Sequence, residues 1–387
     1  MGIDLNKKSS KGSIVMVGCF DTKGEDFGYL YSCLVQQGAS VITINTGVMG
    51  STDLFPIDFE AEQVAIKGRA TIPGLRQQKD RGVAIEIMGN GAAVIIKELL
   101  SQNKVNAAIG MGGGGGTFIA LKALQILPFG IPKLCISTLA TKDLSSHIGS
   151  KDITLMPSIV DVAGLNSISK VVIRQGAAAI VGMMQASVSD NQSQDQSIAI
   201  SVFGNTSLCV DKCSEFLKDR GYEVMAFHSV GVGGKTMEGL TFDGCFEAIL
   251  DITTTELADE LCGGICSAGP DRLTAGSKMG IPQVIVPGCL DMVNFGPLDT
   301  VPEKYRDRQL FSWAPDVTLM RTNAEENRIL GKTIADKINN SEAPVTVLLP
   351  LGGLSQIGGP GQVFHNPAID QELFGSLKSH ANKNIKI

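Results

Sequence analysis

The chain repeats itself, and the repeat restricts the fold more than any other property of the sequence. Three markers recur in the same order. "IVMVGCFDT" (14–22), followed by a helix-like stretch and "SVITINTGV", returns as "IAISVFGNT" (198–206) followed by a similar stretch and "EVMAFHSVG". "GIPKLCIST" (130–138) returns as "GIPQVIVPG" (280–288), and "DITLM" (152–156) as "DVTLM" (316–320). A duplicated unit places equivalent loops, and therefore candidate sites, at equivalent positions in both halves. The markers are short apolar runs bounded by Gly and Pro and separated by helix-length segments, the pattern of parallel sheets covered on both faces. The expected fold is therefore α/β: two duplicated, Rossmann-like, doubly wound lobes with parallel sheets and a cleft between them. The polar stretch "ASVSDNQSQDQS" (186–197) has the composition of a linker. It divides the chain into a first lobe over 1–190 and a second over 191–387. The first lobe carries an extra helical stretch near 58–101, and the second an insertion around 288–314.

Ligands of doubly wound sheets lie beyond the carboxyl ends of the strands, which directs attention to "AAIGMGGGGGTFIALKAL" (107–124). It reads as a strand, a loop of Gly112, Gly113, Gly114, Gly115 and Gly116, and a helix from Thr117. Bare backbone there lets amides approach a phosphate and permits positive φ, and a helix start favours an anion. A nucleotide phosphate is the expected ligand. No lysine follows the run and no acid stands about 20 residues on, so it is neither a P-loop nor a dinucleotide fingerprint. The competing reading is a turn that only permits close helix–sheet packing.

Other loops supply ionisable candidates. Asp21 and Lys23 follow the first strand; Lys23 suits a phosphate, and Asp21 a proton or a magnesium-bound water. "SAGPDRL" (267–273) is taken as the second-lobe counterpart of the glycine run, with Arg272 as an anion clamp, and "PGCLDMVNFG" (287–296) offers Asp291 as a base or magnesium ligand. Each also suits a capped turn or a pocket wall. The four histidines form no constellation, and no Ser or Cys sits in a nucleophile-elbow pattern, so triad hydrolysis is unsupported.

Composition excludes further classes. A net charge of −6 without Lys/Arg clusters argues against nucleic acid. No apolar run reaches the roughly 20 residues of a membrane span. The first ten residues lack a signal-peptide core, and Asn6 stands where a myristoylation motif needs Ser or Thr; a cytoplasmic location is expected. Nine cysteines in mostly apolar contexts read as reduced thiols. The Cys209/Cys213 and Cys262/Cys266 pairs have three intervening residues rather than the two usual for zinc.

Taken together, "GMGGGGGTFIALKALQILPFGIPKLCISTLA", "DITLMPSIVDVAGLNSIS", "GYEVMAFHSVGVGGKTMEGL", "SAGPDRL", "PGCLDMVNFG" and "VTLMRT" resemble the ATP-binding domain family of the tomato mosaic virus resistance protein. The similarity runs from about 12 to 378. It implies two Rossmann-like subdomains, binding of ATP with Mg2+, and a homodimer. It also implies that the TIM-barrel domain following in some relatives would here be a separate chain. The resemblance carries phosphate contact onto Gly112 to Thr117, with Ser137 and Thr138 on the adjoining strand end. Relatives have His-Asn-Pro before the "VTLMRT" strand, where this chain reads Trp313-Ala314-Pro315. They also have a basic and an acidic residue where Gly352 and Gly358 stand. The functional expectation is an ATP-dependent enzyme of phosphoryl- or nucleotidyl-transfer type, acting on a small acidic metabolite between the lobes. The alternative is a nucleotide-responsive protein-binding module without turnover.

Overall fold

Strand formation in the first half follows from residues that alternate between two apolar faces. In β1 (Ser13–Gly18), Ile14 and Met16 join a buried cluster with Phe27, Leu30 and Ile173, while Val15 and Val17 join another with Val64, Ile95 and Leu121. Such a strand has no polar side and reads as a continuous apolar run. The computed structural model, which describes residues 13–186 and 196–387, divides into two units, Met1–Asn191 and Gln192–Ile387. The linker expected over 186–197 lies for the most part outside the described residues.

In the first unit β1 is joined by β2 (Ser40–Asn45), β3 (Ala107–Gly112), β4 (Lys133–Ser137) and β5 (Ile153–Pro157) in a parallel sheet of order β2-β1-β3-β4-β5. Helices Gly24–Gln36 and Ser167–Gln185 cover one face; Arg81–Ser101 and Gly114–Leu124 cover the other. The extra stretch near 58–101 forms three helices, Ala61–Lys67, Ile72–Gln78 and Arg81–Ser101.

The second unit contains β6 (Ser197–Val202), β7 (Glu223–His228), β8 (Ala248–Thr253), β9 (Gln283–Gly288), β10 (Met292–Phe295), β11 (Leu310–Ala314), β12 (Val317–Arg321) and β13 (Val345–Val347). Its parallel sheet has the order β13-β9-β8-β6-β7. Taken in chain order, both sheets run second-first-third-fourth-fifth, the arrangement whose ligand crevice lies where the winding reverses, between first and third strands. The doubly wound α/β architecture is thus present twice.

Two correspondences expected from the repeat are corrected. "DVTLM" is not the fifth parallel strand but β12, in a separate antiparallel sheet of order β10-β12-β11. The short Pro315-Asp316 connection returns the chain beside β11 and makes a hairpin, which a parallel strand cannot use. Val345–Val347 takes the fifth position instead, against β9. The counterpart of the glycine run is likewise not 267–273 but the end of β8, where Thr253, Thr254 and Thr255 lead into helix Thr255–Cys262.

Candidate functional site

In the first unit the reversal point brings together the segments after β1 and β3. The strand ends at Gly112 and the helix begins at Gly114, so three of the five glycines are helical rather than loop residues. The positive φ angles expected of a phosphate nest are absent: Gly113 has φ −76° and ψ −158°, and none of Gly112 to Gly116 is left-handed.

The space around each glycine separates packing from access. A Cβ on Gly112 would lie 2.7 Å from backbone atoms of Gly116, a distance no real Cβ keeps. On Gly115 it would meet Ile85 at 3.0 Å. Gly116 has only ordinary contact, with the Met111 carbonyl at 3.6 Å, and Gly114 meets nothing within 4 Å. Close packing therefore accounts for Gly112 and Gly115 and leaves Gly114 open. Gly113 is the N-cap residue and supplies no side-chain cap, so the first N–H groups of this 11-residue helix carry their partial positive charge uncapped.

Charged groups gather around that helix start. The Nη2 of Arg81 is 3.3 Å from the Cβ position of Gly115, and among the described residues its exposed guanidinium makes no hydrogen bond or ion pair. On the other side, Asp161 Oδ1 lies 3.7 Å, and Thr138 Oγ1 4.0 Å, from the Cβ position of Gly113. Asp21, Lys23 and Arg81 all act electrostatically on the Cys19 thiol at the end of β1, which burial above all pushes up from its ordinary value. Asp161 sits in a loop containing Ile159, a β-branched residue at φ +65° and 72% exposed. Strain of that kind costs roughly 1–3 kcal/mol and collects at binding sites.

The remaining candidates of this unit have local partners. Asp21 accepts from the Thr22 and Met49 N–H groups at 2.7 and 2.8 Å, which closes the β1 loop against the loop after β2. Lys23 is the N-cap residue of helix Gly24–Gln36. Thr117 and Ser137 share a 2.6 Å hydroxyl bond, both buried, and pin the helix start to the end of β4. Thr138 donates its N–H to the Gly112 carbonyl. Arg81 and Asp161 escaped sequence reasoning. Asp161 lies five residues beyond "DITLM", in the loop after a strand end, whereas nothing local singles out Arg81.

The second unit treats its candidates differently. Arg272 is wholly buried and all five of its N–H donors are committed. Nε donates to Glu256, Nη1 to Asp251 and Glu238, and Nη2 to Asp251 and the Thr253 carbonyl. The expected anion clamp is therefore corrected: the guanidinium neutralises a buried cluster of carboxylates and has no donor left for a ligand. Asp291 is also buried, and desolvation pushes it up to about 6. Its Oδ2 accepts from Ser355 Oγ at 2.6 Å, while Oδ1 has no partner among the described residues. A Cβ on Gly358 would lie 2.2 Å from that Oδ2, so glycine is sterically required here. Among the described residues Ser355 is the one side chain hydrogen-bonded to the Asp291 carboxyl.

Two models of the "Uncharacterised protein family (UPF0261)" match the chain, the N-terminal domain over 12–189 and the C-terminal domain over 195–387. A UPF0261 protein of Clostridium tetani is 42% identical over 380 residues, covering 98% of this chain and 93% of the relative. The ToMV resistance protein Tm-1(GCR237) of Solanum lycopersicum is 37% identical over 405 residues, covering 98% of this chain but 53% of the tomato protein. Among solved structures, Acinetobacter baumannii MurG aligns over 97% of this chain and 96% of its own, at 14% identity and a TM-score of 0.23. A likeness that distant bears no functional argument. Among the described residues no helix is long and apolar enough to cross a membrane.

Proposed function

The chain belongs to the UPF0261 family, and we propose that its first unit binds the phosphates of a nucleotide, ATP with Mg2+, at the start of helix Gly114–Leu124. The observation that carries this reading is the free Arg81 guanidinium beside an uncapped helix start whose Gly114 faces open space. Helix dipole, backbone N–H groups and guanidinium all favour an anion, and a side chain at 114 would occupy the approach. The exposed carboxylate of Asp161 and the half-buried one of Asp21 suit the oxygen ligands and retained waters that Mg2+ prefers, and Lys23 adds positive charge. The resemblance to an ATP-binding domain family supplies the choice of nucleotide. The site is arranged to hold and orient phosphates; a transfer reaction would need an acceptor close by, and the second unit has turned Arg272 inward. That commitment favours, as a second reading, a nucleotide-responsive module without turnover. Self-association and a separate TIM-barrel partner belong to the same proposal.

Calorimetric titration with ATP, ADP and NAD, with and without Mg2+, tests the reading. ATP should bind, and Arg81→Ala should weaken it about tenfold, the scale of a lost charge-assisted hydrogen bond. A Cβ at Gly114 meets no atom within 4 Å, so Gly114→Asp should fold while abolishing binding. Absence of nucleotide binding in the unmodified chain, or unchanged binding in Gly114→Asp, would overturn the proposal. Phosphate release with a bound nucleotide decides between enzyme and module.

A further inference from the structure

The reversal point of the second unit, between β6 and β8, opens onto a cavity of about 260 Å3. Its walls are Leu208, Ile252, Val286 and Leu354 on the apolar side, with Asn205 and Ser355 among the polar groups. Three independent features converge there. The first is the start of the 12-residue helix Ser207–Lys218, entered through the 3-10 turn Gly204–Thr206; it lacks a side-chain cap because its N-cap residue, Thr206, spends its hydroxyl on Thr253 Oγ1 at 2.7 Å and on the Phe203 carbonyl. The second is Asn205, 5% exposed, whose Oδ1 has no hydrogen-bond partner among the described residues. Its Nδ2 has only the Met292 sulfur at 3.9 Å. The third is Ser355, whose hydroxyl donates to Asp291 and receives the Gly358 N–H at 3.0 Å, so that it can offer a ligand only an acceptor lone pair.

A buried amide oxygen without a partner costs about 1–3 kcal/mol and needs a reason. The wall combines uncapped helix N–H donors with two fixed acceptors across an apolar floor. We infer that this cavity binds a small hydroxylated organic anion, its carboxylate or phosphate at the helix start and a hydroxyl donating to Asn205. The volume admits a small ligand, and the apolar walls favour a short carbon skeleton between its polar ends. Asp291 acts behind Ser355 by fixing its hydroxyl direction, as a positioning residue. This site lies wholly within the second unit and does not depend on the nucleotide reading.

The test is calorimetric titration of the full chain with D-glycerate, glycerol 3-phosphate, inorganic phosphate and propionate. The two hydroxylated anions should bind, their ratio showing whether carboxylate or phosphate is preferred. Propionate, with no hydroxyl for Asn205, should bind at least about tenfold more weakly. Inorganic phosphate should also trail glycerol 3-phosphate. Leu208→Asp places a carboxylate on an exposed first-turn position, where helix electrostatics favour the fold. It should weaken D-glycerate at least about tenfold by like-charge repulsion, and Asn205→Leu should narrow the gap between D-glycerate and propionate. Gly114→Asp should leave these affinities unchanged. Failure of both hydroxylated anions to bind at millimolar concentration would overturn the inference. So would parity between propionate and D-glycerate, or wild-type affinity in Leu208→Asp with its Trp313 fluorescence intact.

Discussion

At the reversal point of the first sheet, the Arg81 guanidinium and the Asp161 carboxylate stand exposed beside a helix start stripped of side chains. At the same point of the second sheet the strand end is Thr253-Thr254-Thr255, all buried, and Arg272 is turned inward onto Asp251, Glu256 and Glu238. Strand order is shared; the disposition of charge is not. One copy keeps its ionisable groups where a charged ligand can reach them, while the other uses them to hold Gly231, Gly234 and residues 273–275 through backbone N–H groups bonded to Glu256 and Glu238. A duplicated fold thus preserves the place for a site without preserving its chemistry.

The contrast breaks most visibly at Arg272. Arg272→Ala leaves three carboxylates without their cation and should destabilise the second unit by about 3–5 kcal/mol. The only tryptophan, Trp313, lies in β11 and reports that unit's unfolding by fluorescence. Unaltered denaturation would mean that the cluster contributes nothing, and persistence of ATP binding would show that the first unit is independent of it. Next in size, Gly112→Ala drives a methyl into backbone and should cost roughly 1–3 kcal/mol. Gly114→Ala should be neutral or gain up to about 1 kcal/mol of helix propensity. Equal effects at both positions would abolish the distinction between packing and access in the glycine run.

A further effect distinguishes the units by pH. Burial pushes Asp259 up to about 7 and Asp291 up to about 6, both in the second unit. The folded state therefore holds protons that the unfolded chain releases near pH 4, and stability from these groups falls as pH rises from about 4 to 7. The Trp313 transition should weaken steadily over that interval, at up to about 1.4 kcal/mol for each unit by which a group is raised. Asp291→Asn should flatten the slope between pH 4 and 6; an unchanged slope would remove Asp291 as a source. Smallest of all, Asp21→Asn, which keeps one of two acceptor oxygens, should cost about 1 kcal/mol while reducing the Mg2+ dependence of nucleotide binding, measured by titration at several Mg2+ concentrations.

Much of the fold was legible because β1, β3, β4, β8 and β9 are short, doubly buried runs that only a covered parallel sheet accommodates. What could not be read was which strand pairs with which. "DITLM" and "DVTLM" have nearly the same composition, and local sequence does not encode whether the partner runs parallel or antiparallel. Arg272 misled for a related reason. In "SAGPDRL" it looks like a solvated turn residue, since the carboxylates that bury it lie 16 to 34 positions away and meet it only through topology. Asp251, an acid inside the apolar run "AILDIT", was the available sign of a buried cation nearby. In the first unit the glycine run marked the right strand end, but its helix boundary was misplaced by three residues, because tertiary burial of Ile119, Ala120, Leu121 and Leu124 overrides the poor helix propensity of glycine.

The position of β13 bears on how the chain is made. The first parallel sheet is complete once Pro157 has been synthesised, but the second cannot close until Val345–Val347 pairs with β9, after the whole antiparallel insertion has emerged. Until then the edge of β9 offers unpaired backbone groups and apolar side chains. Such an interval delays non-local pairing and exposes a nascent chain to association with its neighbours. The two copies of one topology should therefore mature at different rates, the second being the one that depends on slow translation, low temperature or a chaperone to reach its native sheet.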